Sequence, residues 1–76
     1  MLFLIDYDRR SGRILKFRSY SNAQRREAED ARLAVDLESQ LDVEREVVLL
    51  EAASEKALRK THRRYFENWE SLARSA

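Results

Sequence analysis

Two aspartates near the start of the chain have a spacing that could support chemistry. Asp6 and Asp8 stand two residues apart in the segment DYD, so in an extended strand both would project from the same side. Two such carboxylates could hold Mg²⁺, which proteins commonly bind through one or two carboxylates and water. Alternatively, both flank a turn, where Asp hydrogen-bonds locally to the backbone. We expect the turn role, and therefore no metal site and no cofactor.

The segment MLFLIDYD, which contains both aspartates, resembles the opening strand of the small CRISPR-associated ferredoxin-like nucleases, in which an Asp ends the first strand. The resemblance covers eight residues and implies a metal-binding or catalytic role for an Asp here. Those nucleases continue into a helix, whereas the following segment RRSGRILKF predicts a second strand. This departure leaves a hydrolytic enzyme as the third choice among the function classes.

Other residue types common in active sites also have structural interpretations. His62 is the only histidine, and a general base needs a pocket and an orienting partner, neither of which the sequence indicates. We expect it to be half-buried and hydrogen-bonded at the edge of an apolar stripe. A phosphate-binding loop would need more glycine than Gly12 alone. We predict that the chain is not an enzyme and that four of its serines serve turns and caps: Ser11, Ser19, Ser21 and Ser54.

The stretch KALRKTHRRYFENW, residues 56–69, mixes basic and aromatic side chains. Basic residues on one helix face can bind phosphates without sequence preference. On a helical wheel, however, the aromatics lie on the other side, where they cannot stack on bases held by the cations. A solvated or acid-paired face is therefore the favoured interpretation, and nucleic-acid binding is the alternative. The candidate nucleic-acid contacts are Arg59, Lys60, Arg63, Arg64, Lys16 and Arg18.

The net charge of +1 conceals three blocks of alternating sign. Residues 1–26 have a net charge of +5, residues 27–46 of −6 and residues 47–76 of +2. Such blocks can neutralise each other within a subunit or between subunits. Dedicated nucleic-acid binders usually keep a larger positive excess. The pattern therefore favours protein contacts.

Length and composition indicate one small domain, residues 1–76. The chain has no cysteine, so neither a disulfide framework nor a thiolate metal site can stabilise it. No run reaches the roughly 18–20 apolar residues that span a bilayer. The five apolar residues before Asp6 are too few for a signal peptide. We expect a cytoplasmic protein with no membrane partner.

The pattern of apolar and turn residues predicts an α+β fold with the order ββαβα. Strands are predicted at residues 2–7, 13–20 and 46–52, with Gly12 at positive φ in the hairpin loop. Helices are predicted at about residues 22–40, after a capping box of Ser21 and Gln24, and at residues 55–73, after Ser54. A right-handed crossover gives a three-stranded, mainly antiparallel sheet, with the order 2-1-3 preferred over 1-2-3.

The apolar residues of the strands predict self-association. They point to both sides of the sheet, and we expect the two helices to cover only one side. An exposed apolar patch usually marks an interface. A chain of this length also buries only a small core, so association would add stability. We therefore predict a homodimer or other homo-oligomer, formed through the sheet or by swapping the last helix, with another protein as an alternative partner. The predicted contact residues are Phe3, Ile5, Tyr7, Tyr65, Phe66 and Trp69.

Overall fold

The computed structural model describes residues 1–67 and shows the predicted α+β fold. Its strands are β1 (Leu2–Asp8), β2 (Arg13–Tyr20) and β3 (Arg45–Glu51), and its helices are α1 (Arg25–Ser39) and α2 (Glu55–Thr61). Short 3-10 helices lie at Asn22–Gln24 and Arg63–Tyr65. The sheet has the predicted order β2-β1-β3, and β1 pairs antiparallel with both neighbours. β1 is therefore the centre of the fold.

The hairpin between β1 and β2 depends on one glycine and one bulge. Gly12 has φ 68°, a region that costs other residues free energy, and its N–H donates to the Asp8 carbonyl at 2.8 Å. The pairing shifts by one residue between Asp6 and Tyr7, so that Leu15 of β2 has no partner on β1. The positive φ of Gly12 agrees with the sequence prediction.

Helix α1 covers one face of the sheet. Its start follows from Ser21 and Gln24, because the Gln24 side chain accepts a hydrogen bond from the Ser21 N–H at 3.0 Å. Ala28 and Val35 are buried, and the helix packs on β1 and β3. Small side chains allow this close approach. Leu2 and Leu4 of β1, which point to this face, are almost completely buried.

The prediction that both helices cover the same face is wrong. Leu58 of α2 and the following Tyr65 and Phe66 pack against Phe3 and Ile5, which point away from α1. The sheet therefore lies between α1 and the α2 segment, and β1 is buried on both faces. The face of the sheet with bulky aromatic side chains packs against Tyr65 and Phe66, whereas the flatter aliphatic face packs against the alanine-bearing helix α1.

The last helix is shorter than predicted. α2 ends at Thr61, and His62, with φ −124° and ψ 52°, separates it from the 3-10 helix. The Thr61 hydroxyl donates back to the Ala57 carbonyl at 3.1 Å, a bond that often bends helices. Like charges at i,i+4, such as Lys60 and Arg64, also disfavour a continuous helix. The predicted helical residues 68–73 lie outside the described part of the chain.

Candidate functional site

Asp6 belongs to a buried ion pair. Its side chain is completely buried and accepts two hydrogen bonds from Arg45 of β3, one from Nε at 2.8 Å and a shorter one from Nη2. The hydrogen bonding of Arg45 to Asp6 raises the pKa of Arg45 above its usual value. Because both carboxylate oxygens accept from one guanidinium, Asp6 links the first strand to the third. This arrangement is structural.

Asp8 has the turn role that the sequence predicts. Its carboxylate accepts from the Arg10 N–H at 3.2 Å and from the Ser11 hydroxyl at 2.9 Å. Asp6 and Asp8 are thus held by different protein groups. Within residues 1–67, acidic and histidine side chains form no cluster of three that could hold a metal ion. His62 is half-buried as predicted, with its ring centroid 6.4 Å from that of Tyr65.

Glu46 is the centre of a second ionic network, on the α2 side of the sheet. Arg64 donates to it at 2.5 Å, Arg9 at 3.2 Å, and the Tyr65 hydroxyl through a shorter bond. Burial alone would raise the pKa of Glu46, but these hydrogen bonds outweigh burial and lower it. Burial, reinforced by the bond to Glu46, raises the pKa of Tyr65. The network links Arg64 and Tyr65 to β3.

Four cations of the α2 segment share one groove. Arg59 is only partly available, because it donates to Glu55 at 3.1 Å and its guanidinium lies 5.2 Å from the centroid of the Phe66 ring. Arg64 lies elsewhere, in the network of Glu46. Glu67 adds a negative charge to the groove. The groove is lined by Lys56, Arg59, Lys60, Arg63 and Glu67.

The basic residues of β2 lie on the opposite face from that groove. Lys16 and Arg18 pair with Asp6 and Leu4 of β1, which point towards α1. Lys16 Nζ lies 3.2 Å from Glu38 Oε2, on the acidic helix. The two sets of predicted nucleic-acid contacts are therefore separated by the sheet, and one of them meets the chain's own acidic block.

The residues predicted for self-association lie mainly inside the subunit. Phe3, Ile5, Tyr65 and Phe66 are at most 5% exposed, and Tyr7 is half-buried. These side chains form the subunit's own core and offer no open sheet face to a second copy. Trp69 lies outside the described residues. Any contact between copies must use another surface.

An exposed apolar surface does lie beside β3, at the opposite flank of α1 from β2. Leu33 of α1 is 54% exposed. Leu33 and neighbouring α1 residues form one wall of a groove of about 650 Å³, and residues 47–50 of β3 form the other. We call Leu33 and residues 47–50 the α1–β3 surface. The contact residues predicted from the sequence did not include it.

Comparison with family models, with curated proteins and with solved structures finds no match to this chain. Residues 1–67 contain no helix with the length and apolarity required to cross a bilayer. The α1–β3 surface and the basic groove are thus the two features of the described chain on which a function can be argued.

Proposed function

We propose that this chain is a small, non-enzymatic, cytoplasmic protein-interaction module that associates with itself. The proposal rests on the α1–β3 surface, where the half-exposed Leu33 adjoins four consecutive apolar residues of β3. Contiguous apolar surface of this kind usually marks a contact with another protein. The core is small and lacks disulfides, so burying this surface would also add stability.

The location of the surface differs from that predicted by the sequence. α1 and the α2 segment cover the two faces of the sheet, so neither face is open for association. We therefore propose that the contact lies along the flank of α1 and the edge of β3. The charged ring of α1 supports a specific contact, since Arg25, Glu29 and Arg32 surround the apolar residues. Interfaces commonly combine an apolar centre with a polar rim.

Sedimentation equilibrium of the full chain between about 1 and 100 μM tests the proposal, because this range covers the affinities of ordinary transient contacts. We expect the mass to rise to that of a dimer. The variant Leu33→Lys should remain monomeric, because it places a charge within the contact. Leu15→Lys is the matched control, since Leu15 is 49% exposed on β2, the other edge strand. A parent chain that stays monomeric throughout contradicts the proposal.

Nucleic-acid binding is the second candidate, favoured by the four cations in the groove of α2. Fluorescence anisotropy with labelled single-stranded and duplex DNA and RNA at about 50 mM salt tests it, because phosphate contacts are strongest at low salt. Lys60→Glu/Arg63→Glu should abolish any such binding, whereas Arg26→Glu on α1 should leave it. Absence of binding by the parent chain at this salt concentration removes the candidate.

A further inference from the structure

The two edges of the sheet differ in how they are protected. β2 carries Arg13, Lys16 and Arg18, and charged residues on an edge strand oppose pairing with other strands. β3 has the sequence REVVLLE, in which no charge interrupts residues 47–50. An uninterrupted apolar run is typical of a strand that has neighbours on both sides. β3 occupies an edge within residues 1–67, although its sequence suits the interior of a sheet.

Within the described residues 1–67, the outer edge of β3 presents backbone groups that pair with no other strand. In an antiparallel ladder, alternate residues point their N–H and C=O towards the neighbouring strand. Met1 and Ala52 exchange both hydrogen bonds, and the Arg9 N–H donates to the Glu44 carbonyl, so the even-numbered residues of β3 face β1. The N–H groups of Val47, Leu49 and Glu51 consequently point away from β1. The Arg45 N–H is already bonded to the Asp42 carbonyl at 3.1 Å.

We propose that β3 pairs antiparallel with β3 of a second copy, with Val48 on the two-fold axis and Arg45 opposite Glu51. This inference rests on the proposed function and specifies its partner. The N–H groups of Val47, Leu49 and Glu51 then donate to the carbonyls of Leu49, Val47 and Arg45 in the other copy. The strand is complementary to itself in hydrogen bonding, and this register places Arg45, which is paired with Asp6, opposite Glu51, which is paired with Arg25.

Other antiparallel registers fit less well. A shift by two residues leaves two strand residues at each end without a partner and places Arg45 or Glu51 opposite an apolar residue. A shift by one residue would place the even-numbered residues opposite the odd-numbered ones, so that donors no longer face acceptors.

The same arrangement brings the two α1 helices together. A two-fold axis perpendicular to the sheet keeps both helices on one face. α1 lies over β1 and β3, and strands are about 4.8 Å apart, so the helix axes would be about 10 Å apart across the new strand pair. Packed helices lie about 8–10 Å apart. Leu33 would then lie beside the partner's helix.

Amide hydrogen exchange measured by NMR on the full chain tests the register directly. Above the dissociation constant of the dimer, the Val47, Leu49 and Glu51 amides should exchange at least about tenfold more slowly than in dilute protein, because they become part of a ladder. The amides of β2 should not change with concentration. A dimer in which the three β3 amides remain fast would overturn the register and leave the proposed function standing.

Cysteine variants provide a second test, since the natural chain has no cysteine. Residues directly opposite at a non-hydrogen-bonded position have Cβ atoms about 4.5–5.5 Å apart, close to disulfide distance. Val48→Cys should therefore form a covalent dimer under mild oxidation, whereas Val47→Cys and Leu49→Cys should do so only when mixed with each other. Cross-linking of Val47→Cys alone, or none by Val48→Cys in a dimeric sample, contradicts the register. A monomeric sample defeats both proposals.

Discussion

Replacing Arg45 with methionine should destabilise the fold by about 3 kcal/mol, near the lower end of the cost of breaking a buried ion pair. The estimate follows from the geometry of Asp6, whose side chain is fully buried and accepts two hydrogen bonds from Arg45. Each hydrogen bond to a charged group contributes about 1.5–3 kcal/mol. Arg45 is 22% exposed, so water can reach the site and relieve part of the loss.

Urea unfolding followed by circular dichroism at pH 7, at one low protein concentration, measures this cost. Lys16→Met is the control, because Lys16 and its partner Glu38 are 39% and 64% exposed and such pairs contribute less than about 1 kcal/mol. The double variant Asp6→Leu/Arg45→Met should recover most of the lost stability, since no charge then remains buried. A loss below about 1 kcal/mol for Arg45→Met, or no recovery in the double variant, would refute this account.

Three further changes test other parts of the fold by the same measurement. Leu58→Ala should lower the free energy of unfolding by about 2–5 kcal/mol, because it opens a cavity in the core. A loss below about 1 kcal/mol would show that Leu58 does not belong to the core. Gly12→Ala should cost about 1–2 kcal/mol because of its φ of 68°, and an unchanged midpoint would contradict this conformation. Hydrogen bonds lower the folded-state pKa of Glu46, so its contribution is complete above its ordinary value of 4.5 and is lost as the pH falls through the lower folded value. In Glu46→Gln the acid-induced loss of stability should be shallower, and a profile identical to that of the parent would exclude this role.

The elements and their order could be predicted because each has a local signal. Gly12 marks the hairpin, and Ser54, whose hydroxyl accepts from the Ala57 N–H at 3.1 Å, marks the start of α2. The right-handed crossover then places β3 next to β1, and all three strands occur within one residue of their predicted bounds. Turns, caps and chirality act over a few residues, so they can be predicted from a single sequence.

The side of the sheet on which α2 lies could not be predicted in the same way. A short connection after β3 allows the helix to pack on either face, so the choice depends on which face α1 leaves open. It also depends on the match between Phe17, on the face away from α1, and Phe66, whose ring centroids are 5.8 Å apart. Asp6 and Arg45 are likewise 39 residues apart, and no local pattern links them. Long-range packing determined both features.

Pairing through β3 would limit the assembly to a dimer. The apolar sequence of β3 suits an interior strand, but β3 lies at an edge of the sheet. Pairing of β3 with a second copy would make it an interior strand and remove this conflict. Because β3 pairs with itself about a two-fold axis, the contact closes, whereas pairing of β3 with β2 of another copy would continue into an open fibre. The basic residues of β2 oppose that second mode. A six-stranded sheet would therefore end on both sides in a protected edge, so the dimer is the largest assembly that this contact supports.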